Sequence, residues 1–279
     1  MWKPERIIFA GLRRLAARCL AYLIEEVGPG RIAGVLTARK GDPDWWPGEG
    51  EPEISEIAER HGIPLVESKD LHNLRYDLLL SVLWERLFPG PVLERATLGA
   101  INLHPGPLPN YRGCFTRVHA ILNAETEFGT SIHEMELKPD MGDVLGRTEF
   151  PVFANDTARS LDARAMSYAY PLFCETWQRL VDGSVIRENQ ADLTRKLGRQ
   201  PRYFKLASLE PLLSRPSAPL TPDEADRHYR AFSFYPKVAP PGWLTEYRTP
   251  SMAEQDAVMK PDAAASATAG PVEPRRQHS

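Results

Sequence analysis

The sequence predicts an α/β fold: a mostly parallel sheet flanked by helices, followed by a small C-terminal annex. Three observations carry this. Short apolar runs recur at residues 7–10, 32–37, 63–66, 77–82 and 99–104, with helical patterns between the early ones. These runs are apolar on both faces, as strands are when helices cover both sides of a parallel sheet. Later, residues 198–250 become proline-rich and aromatic, and from Ser251 onward the chain has no aromatic residue.

Each element follows from its pattern. Residues 7–10 form a buried strand closed by Gly11, and residues 12–26 place Leu12, Leu15, Ala16, Cys19, Leu20, Leu23 and Ile24 on one helical face. Residues 32–37 are a second strand. A loop rich in Gly, Pro and acid separates it from a helix over 54–61, and residues 63–66, 77–82 and 99–104 are the third, fourth and fifth strands. Residues 129–135 alternate like a strand with one exposed face, and residues 144–152 pair with it. Residues 157–182 are a long helix in which Pro171 predicts a kink. The expected division is a main domain over 1–197, an annex over 198–250 and a disordered tail over 251–279. The tail is too poor in large apolar residues to offset its ordering entropy.

Composition narrows the function. The 279 residues carry 34 Lys and Arg against 37 Asp and Glu, a net charge of −3, which disfavours nucleic acid as a partner. Three widely spaced cysteines, Cys19, Cys114 and Cys174, suit neither a disulfide framework nor a zinc site, so no metal and a reducing, cytoplasmic setting are expected. No run approaches the ~20 apolar residues of a membrane helix. The turn after the first strand, residues 10–16, lacks the second and third glycines with which a backbone approaches a pyrophosphate, which argues against a dinucleotide.

The chemistry concentrates at residues 101–114. In a strand, Asn102 and His104 point to one face, at the carboxyl end where open α/β sheets place ligands. A stiff Pro/Gly loop follows, and Asp140 stands downstream beside a glycine turn. Singly, each residue suits a structural role. Together, a primary amide, an imidazole and a carboxylate provide an oxyanion donor, a proton acceptor and a group that orients it.

The run NLHPGPLPNYRG at residues 102–113, GTSIH at 129–133 and DMGDV at 140–144 resemble, in order and spacing, the N10-formyltetrahydrofolate-dependent formyltransferases. The likeness covers roughly residues 6–190; Gly106 stands where the family pattern has Ser. The resemblance implies a Rossmann-like formyltransferase domain and an enzyme that moves a formyl group from N10-formyltetrahydrofolate to an amine. It implies that Asn102 and a protonated His104 stabilise the oxyanion, that Asp140 helps remove the amine proton, and that His133 supports them. It also implies folate recognition by backbone groups of the loop after the fourth strand, here Leu83, Trp84, Arg86, Leu87 and Phe88, and of the loop holding Asp140 and Asp143.

Within the family, the likeness is greatest to sugar N-formyltransferases, so the expected acceptor is the primary amine of a small molecule, an amino sugar that is often nucleotide-linked. Tyr111, Arg112 and Gly113 shape the loop over the site, and Arg202, Tyr203, Phe232 and Trp243 are positioned to meet a base or a diphosphate. Residues 201–250 hold seven Lys and Arg against five Asp and Glu, too little positive charge for a tRNA backbone. An acidic loop at 41–53 with Trp45 and Trp46 points the same way. Alternatives are a natural-product amine, methionyl-tRNA, or folate binding without catalysis. A homodimer is expected from the sugar enzymes alone.

Overall fold

A computed structural model describes residues 2–38, 53–234, 238–247 and 252. The acidic loop with Trp45 and Trp46, apart from Glu53, and the expected tail, apart from Met252, lie outside the described residues. The chain runs β1 (Ile7–Gly11), α1 (Arg13–Val27), β2 (Ile32–Leu36), α2 (Ile54–Arg60), β3 (Leu78–Val82), α3 (Gly90–Leu93), β4 (Gly99–His104), β5 (Tyr111–Gly113) and α4 (Thr116–Leu122). It continues through β6 (Glu127–Glu134), β7 (Val144–Pro151), α5 (Ala158–Asp182), α6 (Gln190–Leu197), β8 (Arg202–Phe204), α7 (Glu210–Leu213) and α8 (Pro222–Phe232).

Six strands form one sheet in the order β2-β1-β3-β4-β6-β7. The first four are parallel, and β6 and β7 continue the sheet antiparallel. The period of two along each strand divides the core between the faces. Ile7 and Phe9 pack with Leu20 and Leu23 of α1, Ile57 of α2 and Trp177 of α5, whereas Ile8 and Ala10 pack with Leu71, Tyr76 and Val92 on the opposite face. Among the described residues no helix is long and apolar enough to cross a membrane.

Two local expectations change. Residues 63–66 form no strand: Leu65 makes a single parallel bridge to Val35, and Pro64, which has no N–H, cannot extend the ladder. The alternating strand at 129–135 has no exposed face between Phe128 and His133. Its polar residues turn to the loop after β4 instead of to water. Thr130 Oγ1 donates to the His104 carbonyl at 2.9 Å, and Ser131 Oγ donates to the Gly106 carbonyl at 2.9 Å while accepting from Leu108 N at 3.0 Å. β6 thereby anchors the loop that carries the candidate chemistry.

The segment after residue 197 shares its core with what precedes it. β8 pairs with β5 as a two-stranded parallel sheet. Leu209, Phe232 and Phe234 join Tyr111, Val118, Phe128, Phe150 and Leu161 in one apolar cluster.

Candidate active site

Asn102, His104 and Asp140 line one cavity of about 330 Å³ at the carboxyl ends of β3 and β4. Asn102 and His104 lie two apart in β4. Asp140 arrives from the turn before β7 with φ +57°, in the left-handed region. Buried Gln190, the first residue of α6, holds that turn: Nε2 donates to the carbonyls of Asp140 at 2.9 Å and Gly142 at 2.7 Å, and Oε1 accepts from Arg112 Nη2 at 2.7 Å.

Hydrogen bonds to groups that can only accept fix the ring protons. His104 Nε2 lies 2.7 Å from the Tyr111 carbonyl and therefore carries the N–H, which turns Nδ1 toward Asp140 Oδ1 at 3.6 Å. His133 Nδ1 donates to the Glu134 carbonyl at 2.7 Å, so its Nε2 is free to accept from Asn102 Nδ2 at 3.2 Å and lies 3.3 Å from Asp140 Oδ1. Asn102 Oδ1 accepts from Ser81 Oγ at 2.7 Å, which orients the amide with its N–H groups toward His133. Asp140 Oδ2 accepts from Gly113 N at 2.7 Å. One carboxylate oxygen thus faces two ring nitrogens that are bare in the neutral state, a cluster built to take up one proton.

Burial pushes the His104 pKa below the ordinary histidine value, outweighing the opposing pull of Asp140. Burial by itself would raise Asp140. The charges and hydrogen bonds from His104, His133 and Gly113 overcome it and hold the carboxyl well below the usual range. At neutral pH the site is therefore a carboxylate beside a neutral imidazole, in contrast to the protonated His104 expected from the resemblance. Gly106 underlies this arrangement, because a Cβ there would stand 2.6 Å from both His104 Nε2 and the Tyr111 carbonyl oxygen.

Leu83, Trp84, Arg86, Leu87, Phe88, Gly113 and Tyr203 also line the cavity, as their sequence positions suggest. Trp84 and Phe88 stack at 6.5 Å, with Arg86 5.7 Å over the indole, and Leu83 has φ +57°. Trp84 Nε1 is buried with no hydrogen-bond partner. Flat apolar walls and an unanswered N–H suit a flat heteroaromatic ring carrying acceptor atoms, so these residues fit a folate pterin.

Other expected contacts are placed elsewhere. Asp143 accepts from Asn189 Nδ2 at 3.1 Å outside the cavity. Tyr111 is a core residue whose hydroxyl donates to Glu125 at 2.7 Å; only its carbonyl reaches the site. Arg112 is occupied by Gln190, and Arg202 by Glu125 and the Tyr111 hydroxyl. Phe232 is fully buried in the apolar cluster, and Trp243 donates to the Leu213 carbonyl at 2.9 Å in a separate cluster with Tyr229 and Leu244. These four lie away from the cavity because the annex uses its aromatics and arginines to hold itself to α4 and β5. Arg13, Arg117 and Phe234 line the cavity instead. The two adjacent arginines after β1 are the only sequence signal for any of them.

Residues 65–176 match the formyl transferase family model. The chain is 30% identical over 200 residues to the methionyl-tRNA formyltransferase of Citrifermentans bemidjiense, covering 67% of this chain and 61% of that protein. It is 29% identical over 253 residues to the methionyl-tRNA formyltransferase of Pseudomonas savastanoi pv. phaseolicola, covering 85% of this chain and 75% of that one. The chain therefore spans about three fifths to three quarters of the length of these relatives. In fold it is similar to an N-formyltransferase from Helicobacter canadensis solved with folinic acid and dTDP-3-aminofucose: TM-score 0.69, 23% identity, 84% of this chain and 83% of that one covered.

Proposed function

The chain belongs to the formyl transferase family, and from that premise we propose that it moves a formyl group from N10-formyltetrahydrofolate to the primary amine of a small acceptor, an amino sugar. The observation that carries the reading is the cluster of Asn102, His104, His133 and Asp140 beside a wall suited to a pterin. The sugar acceptor is supported by the Helicobacter canadensis neighbour, whose complex holds an amino-sugar nucleotide. Methionyl-tRNA is the second reading and is favoured by the sequence relatives. Against it stands the near-neutral charge of residues 201–250.

When bound, the donor supplies a formyl carbon activated by its attachment to nitrogen. The residues then divide the work. Asn102, its amide fixed by Ser81 and His133, turns N–H groups to the negative charge that develops on the formyl oxygen. His104 Nδ1, bare at neutral pH, accepts the proton of the attacking amine. Asp140 stabilises the imidazolium so formed, and Gly113 N holds the carboxylate in place. Leu83, Trp84 and Phe88 hold the donor ring and keep water from its face.

The test is incubation of the full chain with N10-formyltetrahydrofolate and a panel of amines: free amino sugars, nucleotide-linked amino sugars and methionyl-tRNA. Tetrahydrofolate release that depends on an amino sugar supports the reading. No release with any amine, or equal release without one, overturns it.

A further inference from the structure

The cavity that holds Asn102, His104 and Asp140 is also lined by Arg13 and Arg117. Arg13 opens α1, and Arg117 is the second residue of α4. Their guanidinium groups meet on one buried carboxylate, Asp162 of α5. Arg13 donates to it through Nη1 at 3.3 Å and Nη2 at 2.5 Å, and Arg117 Nε lies 3.1 Å from Asp162 Oδ1. Arg117 Nη1 also donates to the Pro105 carbonyl at 3.2 Å, which fixes this group one residue beyond His104. The Arg13 and Arg117 side chains are 20% and 11% exposed, so what accessibility they keep is at the cavity.

Three features of this corner suit an anion. The 15-residue α1 starts without a side-chain cap at Leu12 and has no acidic residue in its first turn, so its own sequence leaves the positive end of the helix unanswered. Arg13 holds φ +70°, a backbone conformation costly for a residue with a Cβ, and that geometry places its guanidinium at the cavity. Burial depresses the Arg117 pKa by more than Asp162 raises it, so the shared carboxylate does not fully offset the desolvation of this cation.

We propose that Arg13 and Arg117 form a subsite for an oxyanion carried by the amine acceptor, a carboxylate or a phosphoryl group held close to the reacting amine. The proposal rests on the formyl-transfer reading and adds to it the charge class of the acceptor. Phe115, Leu206 and Phe234 line the same cavity and give the acceptor an apolar wall. Glu85 also lines it, from an exposed position.

The experiment compares transfer to three matched acceptors at constant ionic strength: an amino sugar, the corresponding amino uronate and the amino sugar phosphate. One anionic acceptor is expected to exceed the neutral one at least about tenfold in kcat/KM, the scale of a charge-assisted arginine contact. A preference for the uronate identifies a carboxylate, and a preference for the phosphate a phosphoryl group. In Arg117→Gln, where Arg13 still pairs with Asp162, the ratio is expected to fall toward one. Both substrates are read on one preparation, so partial unfolding does not imitate that loss. Equal kcat/KM for all three acceptors in the unaltered chain overturns the subsite and leaves formyl transfer standing. If no amine is formylated, the functional reading fails and binding decides the subsite. Saturable thermal stabilisation of the full chain by acetate or inorganic phosphate, lost in Arg117→Gln, upholds it; melting indifferent to both overturns it.

Discussion

Asp140 and His104 answer each other across 3.6 Å, and the protonation of each depends on the other's place. His104→Asn and Asp140→Asn are each expected to lower turnover at least about a hundredfold, as loss of an acid–base group does. Turnover of either variant within a few-fold of the unaltered chain would move the chemistry elsewhere. Because His104 must be neutral to accept the amine proton and its pKa is depressed, the acid limb of kcat/KM is expected below the free histidine value of about 6.5. A limb above that value would mean that Asp140, and not burial, sets the charge of His104. Gly106→Ala tests the positioning from outside the triad: its Cβ meets both ends of the His104–Tyr111 hydrogen bond. Turnover should fall, and an unchanged rate would show that the bond does not hold the ring.

Elements depend on one another most visibly where β5 meets β8. Gly113 has φ +87°, and a Cβ there would stand 2.1 Å from the Phe204 carbonyl oxygen, so the two strands pair only with glycine at that position. Behind them His119 of α4 stacks on Phe204 with ring centroids 4.0 Å apart. Burial, with a smaller push from Arg202, lowers the His119 pKa to about 4. An unfolded histidine titrates near 6.5, so below that pH the unfolded chain takes a proton that the folded chain refuses until about pH 4. Stability is therefore intact above pH 6.5 and declines through this window. His119→Phe keeps the stack and removes the titration, so its urea midpoint should drop less between pH 7.5 and pH 5 than that of the unaltered chain. An equal drop would place the acid sensitivity elsewhere. These two strands were not legible in the sequence: each has three residues and neither alternates. By contrast, β1, β3 and β4 were legible because burial on both faces demands uniformly apolar runs. The same logic misled at residues 63–66, where an apolar run lies at the sheet edge but Pro64 withholds the donor a ladder needs. Asn102, His104 and Asp140 could be read from motif spacing, whereas Arg117 could not, because only the packing of α4 and α5 brings it to the cavity.

On the scale of the whole molecule, the annex is part of the core that frames the site. Ending the chain after Leu197 removes Leu209, Phe232 and Phe234 and uncovers Tyr111, Phe128 and Phe150. Each large side chain contributes about 1.5–3 kcal/mol by burial, and a typical domain has only about 5–15 kcal/mol in total. The shortened chain should lose its cooperative thermal transition; a sharp transition in circular dichroism would show that residues 2–197 fold alone. The proposed activity belongs to this intact architecture, with the donor wall on the β3–α3 connection, the proton-handling cluster on β4, β6 and the Asp140 turn, and the acceptor end reached by Tyr203 of β8. The direct measurement follows an isotopically labelled formyl carbon from N10-formyltetrahydrofolate to an amino-sugar acceptor, using the full chain and Asp140→Asn side by side. Label appearing on the acceptor nitrogen with the full chain, and slowed at least about a hundredfold in the variant, is the predicted result. Label that stays on the folate, passes to water as formate, or reaches the amine equally fast in both proteins would contradict the account.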